Sequence, residues 1–162
     1  MVYGAINEKG EKHYTYLKKV FDAIGNKQID YNWLITECEC YPNNQNVKEL
    51  LNKEYCWITG EELTEIIGQE DFQWVWAVLS GFDKNIELAE VLKYDLPYAD
   101  EYTGFWKKPL TLQHPLSKVE IVPFDSSFTL ILSEDKELVN SFRSYFSYSE
   151  NLEDYIDKAS CN

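Results

Sequence analysis

The most informative part of the chain reads Val119-Glu120-Ile121-Val122-Pro123-Phe124-Asp125-Ser126-Ser127-Phe128-Thr129-Leu130-Ile131-Leu132-Ser133. Two runs rich in β-branched and aromatic residues flank the polar pair Asp125-Ser126, a pattern typical of a β-hairpin. We therefore predict strands over 119–124 and 127–133 joined by a tight turn. Because a hairpin pairs its strands antiparallel, the sheet that contains it is mixed or antiparallel.

Four other segments carry the apolar patterns of strands. Val2–Ile6 and Tyr55–Ile58 are short apolar runs. Phe72–Phe82 has large apolar side chains at successive positions, so we expect it to be buried on both faces near the middle of the sheet. Residues 31–41 alternate instead, which predicts a strand with Leu34, Thr36, Cys38 and Cys40 on one face and Trp33, Ile35, Glu37 and Glu39 on the other.

Apolar residues at helical spacing predict the remaining elements. The predicted helices cover Tyr14–Ile24, Val47–Leu51, Leu63–Ile67, Leu88–Leu92, Leu138–Phe146 and Leu152–Ile156. Thr59 and Glu62 have the spacing of a capping box at one helix start, and Asn85 is a candidate cap at another. Asp95–Pro115 is irregular and rich in aromatic residues, as a long functional connection would be. We predict one α+β domain over residues 1–162, a single mixed or mainly antiparallel sheet with covering helices.

The composition excludes several classes of partner. The chain has 28 acidic and 15 basic residues, a net charge of −13, and such a field repels nucleic acids and anionic membranes. Its 44% hydrophobic and 15% aromatic residues are too many for a disordered acidic tail. No segment is long enough to span a bilayer, and Met1–Gly10 lacks the pattern of a signal peptide. We therefore expect a cytoplasmic protein whose four cysteines are reduced.

Two candidate sites for chemistry involve thiols or a nucleophile. Cys38 and Cys40 could share a soft metal from one strand face, but the second pair of ligands that structural zinc needs is missing. His114, Asp125 and Ser126 or Ser127 could form a hydrolytic triad, although Asp-Ser-Ser is ordinary turn sequence and no Gly-x-Ser-x-Gly motif occurs. We favour buried thiols and a loop histidine.

Carboxylate pairs and phosphate-binding loops are equally unspecific here. With 28 acidic residues, any pair such as Glu37 and Glu39 resembles a glycosidase site, and a solvated strand face explains that pair better. The seven glycines are scattered and form no phosphate-binding motif. We expect no catalytic residue, no cofactor and no metal.

Negative charge is concentrated in one part of the chain. Residues 61–101 hold eleven acidic side chains against Lys84 and Lys93, a local charge of −9. These acids could simply solubilise short helices around an apolar strand. Alternatively, they form a landing surface for a basic protein, because charge steers encounter and aromatic anchors supply affinity. The predicted partner-binding residues are Glu87, Glu90, Tyr94, Asp95, Tyr98, Asp100, Glu101, Tyr102 and Trp106.

Parts of the chain resemble a group of small, acidic, uncharacterised bacterial proteins, some of which look like immunity proteins encoded beside polymorphic toxins. The resemblance rests on Glu120–Leu132 with Asp135 and the helix to Phe146, and also on Tyr16–Phe21 followed by Tyr31-Asn32-Trp33. These are motifs of fold, and no catalytic residue is carried over with them. The resemblance implies a bacterial cytoplasmic protein that neutralises a cognate toxin by binding it.

Three functional hypotheses remain open from the sequence. The first is an inhibitor, most simply an immunity protein, that covers the basic site of a toxin with the surface around residues 87–106. The second is an enzyme of unrecognised class acting on a small neutral or cationic substrate, which a pocket joining His114 to perturbed carboxylates would favour. The third is a scaffold that associates with its own kind. The oligomeric state stays open.

Overall fold

A computed structural model describes residues 1–161. Its strands are β1 (Tyr3–Asn7), β2 (Tyr31–Cys40), β3 (Tyr55–Thr59), β4 (Trp74–Asp83), β5 (Val119–Phe124), β6 (Phe128–Ser133) and β7 (Glu150–Asn151). Its α-helices are α1 (Leu17–Ala23), α2 (Gln45–Leu51), α3 (Gly60–Gln69), α4 (Leu88–Val91), α5 (Lys136–Tyr145) and α6 (Leu152–Ser160). Short 3-10 turns cover Lys27–Asp30 and Gly104–Trp106.

The seven strands found within residues 1–161 form one sheet in the order β3-β2-β4-β5-β6-β1-β7. Each hydrogen-bonded strand pair is antiparallel, which confirms the predicted α+β class and decides between a mixed and an antiparallel sheet. The predicted hairpin joins β5 to β6. Asp125 and Ser126 have φ of 49° and 55°, and the Ser127 amide donates to the Phe124 carbonyl at 2.9 Å. Positive φ at these two central turn residues matches the twist of paired strands, and three residues, Asp125–Ser127, separate the paired Phe124 and Phe128.

One face of the sheet, here the helix face, is covered by α1, α2, α3 and α5. Trp33, Trp74, Leu79 and Ile121 project from the strands into this core, and the helices add their apolar stripes. The strand segment predicted for the middle, β4, is buried on both faces as expected: Leu79 lies in the helix-face core and Val78 in the opposite one.

The opposite face, here the loop face, is covered by α4, α6 and the long connection between α4 and β5. Val122, Leu130 and Leu132 line its main core, which Phe105 from the connection and Leu152 from α6 complete. A smaller cluster around Phe82, Leu34 and Val91 lies beneath α4. The loop face is therefore closed by one longer helix, α6, together with irregular chain.

Because β2 and β4 pair with two bulges, some β2 side chains lie on a different face of the sheet from the one predicted. Thr36 pairs with Val78 but Glu39 pairs with Trp76, so residues 37 and 38 together oppose one residue of β4. Glu37 takes up the extra length with φ of 49°. As a result Cys38 and Cys40 pack against the helix-face core that contains Trp33 and Ile35, not on the face of Leu34 and Thr36. Plain alternation was the wrong assumption beyond Thr36.

The two predicted caps had different outcomes. The Thr59 hydroxyl accepts from the Glu62 amide at 3.1 Å, so α3 begins where the capping box indicated. Asn85 is not a cap, because α4 begins after Glu87, which makes no side-chain cap, and is a single turn long. Among the helices that the structure describes, none combines the length and apolar composition needed to cross a bilayer.

Candidate partner-binding site

The connection over residues 95–115 is fastened to the sheet by two strand carboxylates. At one end Glu37, turned toward the loop face by the β2 bulge, accepts hydrogen bonds from the amides of Ala99 at 2.5 Å and Asp100 at 3.2 Å. A carboxylate that accepts two amide protons satisfies backbone groups that would otherwise need water. The irregular chain therefore has a fixed position on the sheet at Ala99.

At the other end the fastening carboxylate is Glu120 of β5. Its Oε1 accepts from the amides of Gln113 and His114, the latter at 3.2 Å. The side chain is fully buried, and burial raises the pKa of Glu120 to about 7, against the opposing effect of those two amides. Oε2 has no hydrogen-bond partner among residues 1–161. In the sequence, the only sign of this role was that Glu120 is a single acidic residue within an apolar strand pattern.

Gln113 links the two ends of the connection to each other. Its side-chain oxygen accepts from the Tyr98 amide at 2.9 Å and its side-chain nitrogen donates to the Tyr98 carbonyl at 2.8 Å. This bidentate pairing, together with the two carboxylates, holds the backbone on both sides of the aromatic residues. The rings of the connection are therefore presented from an ordered backbone.

Removing the first fastening point should loosen the connection locally. In Glu37→Ala, the amides of Ala99 and Asp100 lose their acceptor, so their hydrogen exchange is expected to accelerate about tenfold or more, as the loss of a charge-assisted bond implies. Exchange resolved by NMR measures this. Glu39→Ala is the matched control, because that carboxylate bonds the Tyr41 hydroxyl instead. Equal protection in both variants would contradict the proposed fastening.

The rings of the connection form a continuous series. Tyr98 and Tyr102 have centroids 5.2 Å apart, Tyr102 and Phe105 4.7 Å, and Phe105 and Trp106 6.4 Å, all edge to face. Phe105 is buried, whereas Tyr98 is 47% exposed and the other two are half-buried. The series thus runs from an exposed ring across a buried one to Trp106.

Trp106 lines a cavity that we call the aromatic groove. It measures about 450 Å³ and is lined by Trp106, Phe124, Phe128, Tyr155, Ile156, Ala159 and Ser160. The Trp106 ring lies 6.0 Å from both phenylalanine rings and 6.1 Å from Tyr155. The groove therefore joins the connection, the tip of the β5–β6 hairpin and α6 into one apolar surface.

A second cavity beside the groove is acidic, and we call it the acidic pocket. It measures about 360 Å³ and is lined by Glu37, Cys38, Glu39, Lys53, Glu54, Trp76 and Asp100. Among these lining residues four carboxylates face one ammonium group. The Trp76 ring lies 4.5 Å from Phe124, which is itself stacked on Phe128 at 4.5 Å. Trp76 and Phe124 thus connect the acidic pocket to the aromatic groove.

The structure divides the residues predicted to bind a partner between two groups. Tyr98, Tyr102 and Trp106 belong to the ring series, and Asp100 lines the acidic pocket. Tyr94 instead contacts His114, over the cluster beneath α4. Glu90 lies exposed on α4 and Glu87 lies exposed directly before it, and Leu88 of this helix faces Tyr55 and Trp57 at β3. Asp95 and Glu101 are exposed on the connection.

The sequence prediction missed the partners that other elements bring to these rings. They are Glu37, Glu39, Glu54 and Trp76 of the acidic pocket, and Phe124, Phe128 and Tyr155 of the aromatic groove. The predicted two-residue turn at Asp125-Ser126 would have paired Phe124 with Ser127, whereas three residues separate Phe124 from its actual partner Phe128. Glu37 could not be placed, because only the bulge brings it to the loop face.

The structure also shows the surroundings of His114 and of the other residues considered for catalysis or metal binding. His114 is 1% exposed; its Nδ1 accepts from the Leu116 amide at 3.1 Å, so its Nε2 donates to the Val91 carbonyl at 2.9 Å. Burial lowers the pKa of His114. Both ring nitrogens are therefore engaged by backbone, and neither reaches Asp125 or a serine hydroxyl. Across the described residues, no group of three or more His, Cys, Asp or Glu side chains has the arrangement of a metal site.

Comparison with known proteins gives one finding about kinship. Residues 5–99 match the model of a family described as proteins of unknown function. Among curated proteins and among solved structures, nothing matches the chain. The matched range includes Glu37, Glu39, Glu54 and Trp76 of the acidic pocket, whereas the residues that line the aromatic groove follow it.

Proposed function

Given that the chain belongs to the DUF2691 family, proteins of unknown function, we propose that it is an acidic protein-binding module that receives a basic protein on the acidic pocket and the aromatic groove. The observation that supports this most is the direct contact of Trp76 with Phe124, which joins a negatively charged cavity to an apolar one. Charged surfaces give an interface specificity, and apolar aromatic surfaces give it affinity.

The acidic pocket has the chemistry to hold a lysine or arginine side chain. Glu54 and Asp100 line it without an ion-pair partner among the described residues, while Glu37 and Glu39 are already engaged by the amides and by the Tyr41 hydroxyl. Trp76 adds an indole ring, the side chain that attracts cations most strongly. A cation entering this pocket would be balanced by carboxylates and would contact an aromatic ring.

The aromatic groove would supply the apolar part of the contact. Trp and Tyr are among the residues that most often dominate binding energy, and Trp106 and Tyr155 both line this cavity. The connection that presents Trp106 is fastened by Glu37 and Glu120 before any partner arrives. A fixed surface loses less conformational entropy when it binds, which favours affinity.

The most specific form of this proposal is an immunity protein. A toxin that acts on nucleic acid carries a basic cleft, and a chain of net charge −13 would approach it fast and cover it. The resemblance of Glu120–Leu132, Asp135 and the helix to Phe146 to small uncharacterised bacterial proteins, some of which look like immunity proteins, supports the same role. It implies a protein of the bacterial cytoplasm, where such a toxin would have to be neutralised.

The direct test is co-expression with toxin-like proteins encoded beside the gene. We expect one of them to arrest growth alone, to be tolerated together with this chain, and to co-purify with it in a fixed ratio. Trp106→Ala should weaken that complex without unfolding the chain, since Trp106 is half-buried. Rescue of growth without a physical complex would contradict the binding mechanism, and an arrest that the chain never relieves would contradict the immunity role.

Charge-reversal variants distinguish binding at the acidic pocket from attraction by the net negative charge of the whole protein. Glu54→Lys/Asp100→Lys should weaken binding of the co-purified toxin, or of an oligoarginine peptide used as a probe, about thirtyfold at low salt, as the loss of close charge pairs implies. Glu87→Lys/Glu90→Lys, on α4, is the matched control because it changes the net charge equally. We expect that pair to weaken binding by less than about threefold.

Isothermal titration calorimetry at two salt concentrations measures both variants. If the two pairs weaken binding equally, net charge alone attracts the partner and the pocket has no special role. If neither changes binding, the electrostatic part of the proposal is wrong.

A further inference from the structure

The β2 bulge brings two thiols together on the helix face. Cys38 and Cys40 are separated by one residue, and their Sγ atoms lie 3.4 Å apart. In a regular strand, side chains two positions apart project in parallel, so a contact this short reflects the local bend of the bulged strand. The two sulfurs are near enough to share a hydrogen bond.

The two thiols are not equivalent. Either thiol can donate in this contact, and with the Cys38 S–H as donor the pKa of Cys40 is lowered, because the Cys40 thiolate gains the bond. The same bond, together with burial, raises the pKa of Cys38. Cys40 therefore has the character of an attacking thiolate, and Cys38 that of a protonated neighbour held beside it.

Both thiols also have access to a cavity. A cleft of about 230 Å³ between the end of β2 and α2 is lined by Cys38, Cys40, Lys48, Leu51 and Asn52, among others. Lys48 is exposed and places a positive charge at this cleft. A cleft of this volume admits the end of a small molecule that carries a disulfide, and its lining by one ammonium group, Lys48, and one carboxylate, Glu39, suits a zwitterionic one.

The remaining cysteines lack this combination of features. Cys56 is 3% exposed, and burial raises its pKa to about 11. Cys161 is exposed at the end of α6, distant in sequence from the other three. The paired geometry and the cleft belong to Cys38 and Cys40.

We propose that Cys38 and Cys40 form a thiol–disulfide exchange site for a low-molecular-weight disulfide, an activity that does not rest on the proposed protein binding, although Cys38 also lines the acidic pocket. The Cys40 thiolate attacks one sulfur of the small disulfide, forms a mixed disulfide and releases one small thiolate, which takes up a proton. Cys38 then loses its proton and attacks the Cys40 sulfur, so that an intramolecular disulfide forms and the second small thiol leaves. The protein is oxidised by two electrons and the small disulfide is reduced to two thiols.

The experiment uses the full chain carrying Cys161→Ser, so that the exposed terminal thiol does not react, with oxidised glutathione as the probe. Acid-quenched samples are analysed by mass spectrometry over time. We expect the protein to lose two hydrogens within the peptide that contains residues 38 and 40, and dithiothreitol to restore them. Adding Cys38→Ala should instead trap one glutathionyl group on Cys40, because the second step is removed.

Adding Cys40→Ser is the matched variant, and there the reaction of Cys38 should be slower by about tenfold or more. Circular dichroism establishes that each variant is folded, and Cys38→Ser replaces Cys38→Ala if the latter is not. The proposal is overturned if the parent protein does not react, if its glutathionyl adduct never closes to a disulfide, or if Cys40→Ser reacts as fast as the parent.

Discussion

Replacing Glu120 by glutamine is expected to change the pH dependence of the free energy of unfolding by about 3 kcal/mol between pH 4.5 and about pH 8. In the folded chain, burial raises the pKa of Glu120 from 4.5 to about 7. In the unfolded chain the carboxyl group is in water and titrates near its ordinary value. The folded state therefore binds more protons than the unfolded state throughout that window.

The sign follows from the proton count. When the folded state holds the extra proton, raising the pH favours the unfolded state, so Glu120 makes the protein progressively less stable between pH 4.5 and 7. Glutamine keeps an oxygen that can accept from the Gln113 and His114 amides but does not titrate. The variant should therefore gain stability relative to the wild type as the pH rises.

Urea unfolding at a series of pH values measures this difference. His114 and Tyr102 are the titratable neighbours, and both remain in the variant. Glu49→Gln, an exposed carboxylate on α2, controls for the loss of one negative charge. Parallel profiles for the wild type and Glu120→Gln would show that the buried carboxyl group does not titrate in this window.

Replacing Gly60 by alanine is expected to destabilise the fold by about 4 kcal/mol or more, a loss typical of forced backbone movement. A Cβ at Gly60 would lie 2.7 Å from the Ile29 Cα and 2.8 Å from the Tyr31 carbonyl oxygen, and it would clash more severely with the Gln28 carbonyl oxygen. That oxygen is held by the Trp33 indole N–H at 2.9 Å, within the core. The start of α3 cannot move away without disturbing Trp33.

Gly68 on the same helix is the matched control. A Cβ there meets no atom within 4 Å, and the residue is exposed, so Gly68→Ala should stabilise the protein by up to about 1 kcal/mol through helix propensity. Thermal or urea unfolding of both variants measures the contrast. If Gly60→Ala is tolerated as well as Gly68→Ala, the close packing of α3 on the Lys27–Asp30 turn is not as tight as described.

The elements were predictable where one local pattern determined them. The polar pair between two β-rich runs placed the β5–β6 hairpin, and Thr59 with Glu62 placed the start of α3. Both signals act within a few residues, so no tertiary information was needed. Asn85 failed because a residue suited to capping does not fix where a single-turn helix begins.

The candidate site was predictable only in the part that the connection itself supplies. Tyr98, Asp100, Tyr102 and Trp106 are near in sequence, and their aromatic and acidic character was visible there. Trp76 and Tyr155 reach the same surface from β4 and α6, and their contacts depend on how the sheet and helices assemble. The periodicity of a sequence predicts which face of its own strand or helix a side chain occupies. It does not predict which side chain from a distant element will contact it.

The extra residue in β2 has a consequence for how relatives of this chain can vary. It turns Cys38 and Cys40 toward one side of the sheet while sending the Glu37 carboxylate to the other. Deleting Glu37 would restore simple alternation and remove the support for residues 99–100, whereas Cys38 and Cys40 would keep their side of the sheet. Homologues that lack the bulge should therefore also lack the carboxylate that holds residues 99–100, although they can keep the cysteine pair.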